Sequence, residues 1–81
     1  MQAGIMELDV HGMTKMQAQT YLDHQLKGLK SSVYRVRIIH GFHGGTQLRE
    51  MIRQEYLYHS KVIRIEQGTN PGETIFILRE L

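Results

Sequence analysis

Twice in these 81 residues an apolar strand breaks at a His-Gly pair and continues into a helix. The first unit contains Leu8-Asp9-Val10-His11-Gly12. The second carries His40-Gly41-Phe42-His43-Gly44-Gly45 after the apolar Ile38 and Ile39. If the two strands pair in parallel, both His-Gly corners lie side by side at their carboxyl ends. Open α/β sheets bind ligands at that edge.

The rest of the chain fits one small domain built around these units. Residues 5–10 alternate apolar Met6, Leu8 and Val10 with polar Glu7 and Asp9, the period of a half-buried strand. Thr14, with Gln17 three residues on, forms a capping-box sequence. The helix it opens extends to about Lys30, with Ala18, Leu22, Leu26 and Leu29 as its buried stripe. Residues 33–39 alternate again, Tyr34, Val36 and Ile38 against Arg35 and Arg37. A second helix spans about Thr46 to Tyr58, with Leu48, Met51, Ile52, Glu55 and Tyr56 along one side.

Residues 61–67 form a third strand, Ile63 and Ile65 opposite Arg64 and Glu66. A turn-rich segment, Gly68-Thr69-Asn70-Pro71-Gly72, leads to a fourth strand over Thr74–Arg79. There Ile75, Phe76, Ile77 and Leu78 are apolar on both faces, which places that strand centrally. The order is β-α-β-α-β-β. Because the first three strands are half polar, both helices pack on one side. The expected fold is a two-layer α/β (α+β) sandwich with a four-stranded mixed sheet and two helices mainly on one face. Its other face carries Glu7, Asp9, Arg35, Arg37, Arg64 and Glu66.

Composition removes several classes of function. With no cysteine, disulfides and thiolate metal sites are excluded, and a cytoplasmic location fits. No apolar run approaches the roughly 18–20 residues of a membrane span. A net charge of +2 and a pI near 9.2 are compatible with a nucleic-acid partner without requiring one. The glycine loop matches neither a Walker A sequence nor a dinucleotide fingerprint, which argues against ATP and NAD.

Chemistry concentrates at the two corners. Asp9 and His11, two apart, leave the same face of the first strand. A carboxylate there can fix the imidazole tautomer and stabilise its charged form. The alternative is that they only end a strand. His40 shares parity with Val36 and Ile38, the place of a satisfied core-edge histidine, while His43 lies within the loop. Gly41, Gly44 and Gly45 let the backbone approach a ligand, and a loop opening a helix presents amide groups suited to phosphate. Asp9, His11, His40 and His43 could together hold a divalent cation, but no ligand spacing supports a metal site. The four tyrosines fall at core or rim positions and form no spaced stacking platform.

These residues resemble the Smr (small MutS-related) domain family. L-D-V-H-G at 8–12 is similar to its first motif, and I-I-H-G-F-H-G-G-T-Q-L-R-E at 38–50 to its second, the HG-x-G loop entering a helix. G-T-N-P-G-E-T-I-F-I-L at 68–78 resembles its glycine-then-strand ending. The usual HG-x-G places glycine two positions after the first, where this chain has His43. The resemblance implies a fold similar to the C-terminal domain of translation initiation factor 3. It also implies nucleic-acid binding and, in several members, endonuclease activity on DNA or RNA. The domain occurs at the end of second-type MutS proteins and in factors acting on stalled ribosomes. Carried over, the motifs point to Asp9, His11 and Gly12 at the first corner, and His40, Gly41, Gly44 and Gly45 at the second.

The resulting expectation is an endonuclease-type domain that grips a phosphodiester backbone across the His-Gly edge. Lys15, Arg35, Arg37 and Arg49 contact phosphates, and amide groups from Gly41 to Thr46 hold the scissile one. His11, positioned by Asp9, acts as general base or acid, with His40 or His43 as its counterpart. Without a metal, RNA is the favoured substrate because its 2′-hydroxyl supplies the nucleophile, whereas DNA hydrolysis needs an activated water. The alternative is a non-catalytic DNA-, RNA- or ribosome-binding module.

Overall fold

The computed structural model describes residues 4–42 and 46–80. The elements run β1 (Ile5–Asp9), α1 (Lys15–Lys27), β2 (Arg35–Ile39), α2 (Thr46–Tyr56), β3 (Arg64–Gln67) and β4 (Glu73–Ile77). Strand order across the sheet is β1-β2-β4-β3. β1 and β2 pair in parallel, Asp9 opposite Ile39, so the two His-Gly corners follow from neighbouring strand ends. β4 is antiparallel to both β2 and β3 and occupies the interior of the sheet, where its apolar run placed it.

Register explains the two layers. Leu8, Val36, Ile38 and Phe76 share one sheet face and join Ala18, Leu22 and Leu26 of α1 with Leu48, Met51, Ile52 and Tyr56 of α2 in a single core. Both helices therefore cover one side, as the half-polar strands require. The Tyr56 hydroxyl ties the helices together by donating to Asp23 Oδ1 at 2.6 Å, with the Gln19 carbonyl sharing the same hydrogen at 3.1 Å.

The uncovered face carries charge in rows. Glu7, Arg37, Ile75 and Glu66 lie side by side in one row, and Arg35, Ile77 and Arg64 in the next. Arg37 pairs with Glu7, and Arg64 pairs with Glu66 and Glu80. Ile77 is only 1% exposed although it stands outside the main core, between the two arginines. Its burial is consistent with long arginine stems lying over apolar surface.

Several boundaries are tighter than periodicity implies. α1 stops at Lys27, not near Lys30, because Gly28 caps it, its amide donating to the carbonyls of His24 and Leu26. Lys61 Nζ also donates to the Leu26 carbonyl at 2.5 Å, so that helix end is satisfied by a residue distant in sequence. α2 ends at Tyr56, leaving Tyr58 91% exposed rather than at a core or rim position.

Candidate functional site

The site begins with the way β1 ends. The Val10 amide donates to the Ile39 carbonyl at 2.8 Å, extending the parallel ladder by one bond beyond β1. The chain then turns, the Met13 amide donating to the Val10 carbonyl at 3.1 Å, with Gly12 at φ +79°. Thr14 caps α1 reciprocally. Its hydroxyl accepts from the Gln17 amide at 3.1 Å, while Gln17 Oε1 accepts from the Thr14 amide at 3.0 Å. One amide of the first turn is thereby satisfied, and Lys15 stands at the positive end of the helix.

Asp9 and His11 form a local dyad. Asp9 Oδ1 accepts from the His11 amide at 3.0 Å and lies 2.5 Å from His11 Nδ1. These contacts, the ring first and the backbone amide second, hold the Asp9 carboxyl below its ordinary range and keep it ionised. Since a carboxylate only accepts, Nδ1 carries the hydrogen and the lone pair of neutral His11 sits on Nε2. The His11 side chain is 69% exposed, so Nε2 is accessible to a ligand.

The second corner is built differently. The His40 and Gly41 amides both donate to the Gly72 carbonyl, at 2.9 and 3.1 Å. The Gly41 amide is therefore engaged within the fold, where the sequence expectation has it free for a phosphate. Gly41 takes φ +91°, and a Cβ added there would meet His11 Cβ at 3.6 Å. The two His-Gly corners are therefore neighbours. A side chain at Gly41 would be strained by its backbone angle, although a Cβ would meet His11 only at ordinary van der Waals distance.

His40 is buried, with both ring nitrogens engaged. Nδ1 is 3.1 Å from the Gly41 carbonyl, which can only accept, so Nδ1 donates. Nε2, at 2.9 Å from Thr74 Oγ1, then accepts the threonine hydroxyl. Burial, and secondarily the neighbouring Arg49 and Arg53, push the His40 imidazole below its ordinary value. This is the satisfied core-edge histidine that its parity indicated. With no nitrogen left to exchange a proton, His40 holds the corner in shape, and the structure gives no support to its use as His11's acid–base counterpart.

A pH effect follows from that burial. An unfolded chain takes up a proton on this histidine as pH falls through about 6.5, while the folded state resists until lower pH. The unfolded state then binds more protons, so stability falls as pH drops below that value. Urea unfolding between pH 8 and pH 5 should show a wild-type advantage over His40→Gln that shrinks toward the acid end. A constant difference would mean that His40 is not held neutral by the fold.

The remaining predicted residues divide by location. Thr46 and Arg49 line a recess of about 150 Å³ at the second corner together with His40, Gly41, Phe42 and Pro71. Lys15 stands at the start of α1, beyond the first corner. Arg35 lies at the amino end of β2, four residues or about 13 Å along the strand from Ile39. Arg37 lies mid-strand on the uncovered face, paired with Glu7 and with Glu73 Oε2 3.9 Å away. These two arginines are not at the His-Gly edge. His43, Gly44 and Gly45 lie outside the described residues.

Three contributors escaped the sequence reading. Thr74 and Gly72 lock the second corner, and both sit in the G-E-T segment of the last motif. Arg53 follows Arg49 by four residues and so lies on the same helix face, a spacing that was available to find it. Among the described residues no group of three His, Asp or Glu side chains is placed to hold a metal ion. No helix among them is long and apolar enough to cross a membrane.

Comparison with known proteins agrees with this geometry. The sequence matches the Smr domain family over residues 8–74. The fold is similar to the crystal structure of the Smr domain of Thermus thermophilus MutS2, with a TM-score of 0.81 at 25% identity, covering 93% of this chain and 99% of that one. No curated protein sequence matches the chain. Two neighbouring His-Gly corners, a four-stranded mixed sheet and a match across most of the sequence lead to one assignment: the chain belongs to the Smr domain family, a family known for nucleic-acid binding.

Proposed function

We propose that the His-Gly edge binds a phosphodiester backbone and that the Asp9–His11 dyad cleaves it. The observation that carries this reading is an exposed imidazole with its tautomer set by an ionised carboxylate, on the corner that neighbours the second His-Gly pair. Nuclease activity in some Smr domains points the same way. On RNA, His11 Nε2 takes the proton of a 2′-hydroxyl, whose oxygen attacks phosphorus as the bond to the 5′-oxygen breaks. A proton returned to that oxygen completes the step. His43 is the proposed donor, since His40 is committed to Thr74 and Gly41.

Lys15 and Arg49 supply the phosphate contacts, and Arg53 extends the cationic line along α2. Arg35 and Arg37 are left out of this contact set because they lie on the uncovered face, away from the edge. Affinity set by such contacts falls steeply with salt. Arg49→Ala should weaken binding to all sequences alike and flatten the plot of log affinity against log salt by about 0.7–0.9. An unchanged slope in a salt titration would remove Arg49 from the interface.

The test of cleavage uses labelled single- and double-stranded RNA and DNA, with and without chelator, beside Asp9→Ala and His11→Ala. Cleavage by the wild type that both variants lose supports the enzyme. Activity abolished by chelator would assign the chemistry to a divalent cation, for which Asp9 and His11 offer two donors. The alternative, a binding module without catalysis, is favoured by one observation. Among the described residues His11 is the single exposed histidine at the edge, His40 being committed. Binding with intact substrate in all three proteins supports that reading.

A further inference from the structure

A basic groove lies at the opposite end of the sheet from the His-Gly edge. Val33 leads into β2 and His40 leaves it, so the five residues of β2, about 16 Å of strand, separate the two ends. At the amino end, the turn that follows α1 and the turn that follows α2 wall an open groove of about 360 Å³. Leu29, Val33 and Leu78 pack against the core from this side while remaining half-buried, and Ile63 beside them is 54% exposed. Lys30, Lys61 and Arg79 stand around this aliphatic floor, and no acidic residue lines it.

Two of the three cations are not neutralised locally. Lys61 Nζ donates to the Leu26 and Lys27 carbonyls at 2.5 and 3.4 Å, which ties one wall of the groove to the end of α1. Lys30 and Arg79 form no ion pair among the described residues, and Glu80, next to Arg79 in sequence, is paired with Arg64 instead. The backbone around them is pinned. The Leu78 amide donates to the Tyr34 carbonyl at 2.9 Å, the Ile63 amide to the Ile77 carbonyl at 2.7 Å, and the Val33 amide to the Lys30 carbonyl at 3.1 Å. A surface shaped in advance loses little freedom when a ligand enters.

We propose that this groove docks an acidic segment of a partner protein, which seats an aliphatic side chain on Leu29, Val33 and Leu78 and turns carboxylates toward Lys30 and Arg79. The charge is complementary, and the floor rewards an apolar group carried between the charges. A nucleic acid fits less well. Its phosphates would meet the cations, but no aromatic residue lines the groove to stack a base, and the aliphatic floor would go unused. A partner bound here leaves the His-Gly edge open, so the inference stands whether or not that edge cleaves a strand.

Amide chemical shifts of the isotope-labelled protein test this with three probes: a short capped glutamate peptide with leucine at every third position, the same peptide with serine in place of leucine, and an oligothymidylate. The leucine peptide should shift the amides of Leu29, Val33, Ile63 and Leu78 and leave those of His11 and Arg49 in place. The serine peptide should bind about tenfold or more weakly, having no side chain to bury on the floor. Lys30→Glu combined with Arg79→Glu, both at exposed positions, should weaken the leucine peptide by about tenfold or more. Ile63→Ser, also exposed, should weaken the leucine peptide and spare the serine peptide. Equal affinity for the two peptides, wild-type affinity in the doubly reversed variant, or no shift with either peptide would overturn the docking role. Tighter binding of the oligothymidylate at these residues would assign the groove to nucleic acid, and shifts there on dilution of the protein alone would assign it to a second copy of the chain; either result overturns the proposal.

Discussion

Replacing His11 by alanine is expected to lower strand cleavage by about 10²- to 10⁴-fold, the usual contribution of a positioned acid–base group. The fold should not change. The His11 ring is largely in water, and its hydrogen bond among the described residues is to Asp9, so its loss removes no core packing. Surface substitutions of this kind generally stay within about 0.5 kcal/mol in stability. Binding should also persist, because the proposed phosphate contacts reside on Lys15, Arg49 and Arg53. Asp9→Asn makes a sharper companion. It keeps an oxygen that can accept from Nδ1 and the backbone amide but removes the charge that stabilises the imidazolium. Single-turnover cleavage of a labelled strand, with a thermal melt of each variant, measures both halves. Retention of the wild-type rate by His11→Ala would remove the dyad from the chemistry.

The largest structural effect is expected at Phe76. Its ring is fully buried at the middle of β4, between Val36 of β2 and Ile65 of β3. It also packs against Tyr56 of α2, ring centroids 5.4 Å apart. Phe76→Ala deletes one side chain that joins three strands to a helix, leaving a cavity that neighbours on a hydrogen-bonded sheet cannot close. Such truncations cost about 3–5 kcal/mol. A chain of this length has a total stability on the order of 4–12 kcal/mol, so the variant stands near the unfolding threshold. Its melting temperature should fall by more than about 10 °C. A shift of only a few degrees would show that the core around β4 relaxes more than its register allows.

The legible parts of this domain were those governed by local pattern. Alternation in β1, β2 and β3 gave the half-buried strands and hence helices on one face, and the two-sided apolar run gave the central place of β4. The Thr14–Gln17 spacing gave the start of α1, since a capping box is made within four residues. The end of α1 was less legible because helical periodicity continues through Leu29, while termination depends on Gly28 and on Lys61 arriving from the other side of α2.

At the site the division is the same. The sequence by itself identified Asp9 with His11, whose bond spans two residues and needs only a turn. It also marked His40 as a core-edge position, because strand parity decides which face a side chain leaves. Tertiary structure alone decided that both His40 nitrogens are taken, that the Gly41 amide is consumed by Gly72, and that Arg35 and Arg37 belong to the face rather than the edge. Those facts depend on β4 lying antiparallel beside β2 and carrying residues 72–74 to the second corner. A contact between residues more than thirty positions apart is set by sheet pairing, and no local pattern records which groups that pairing will satisfy.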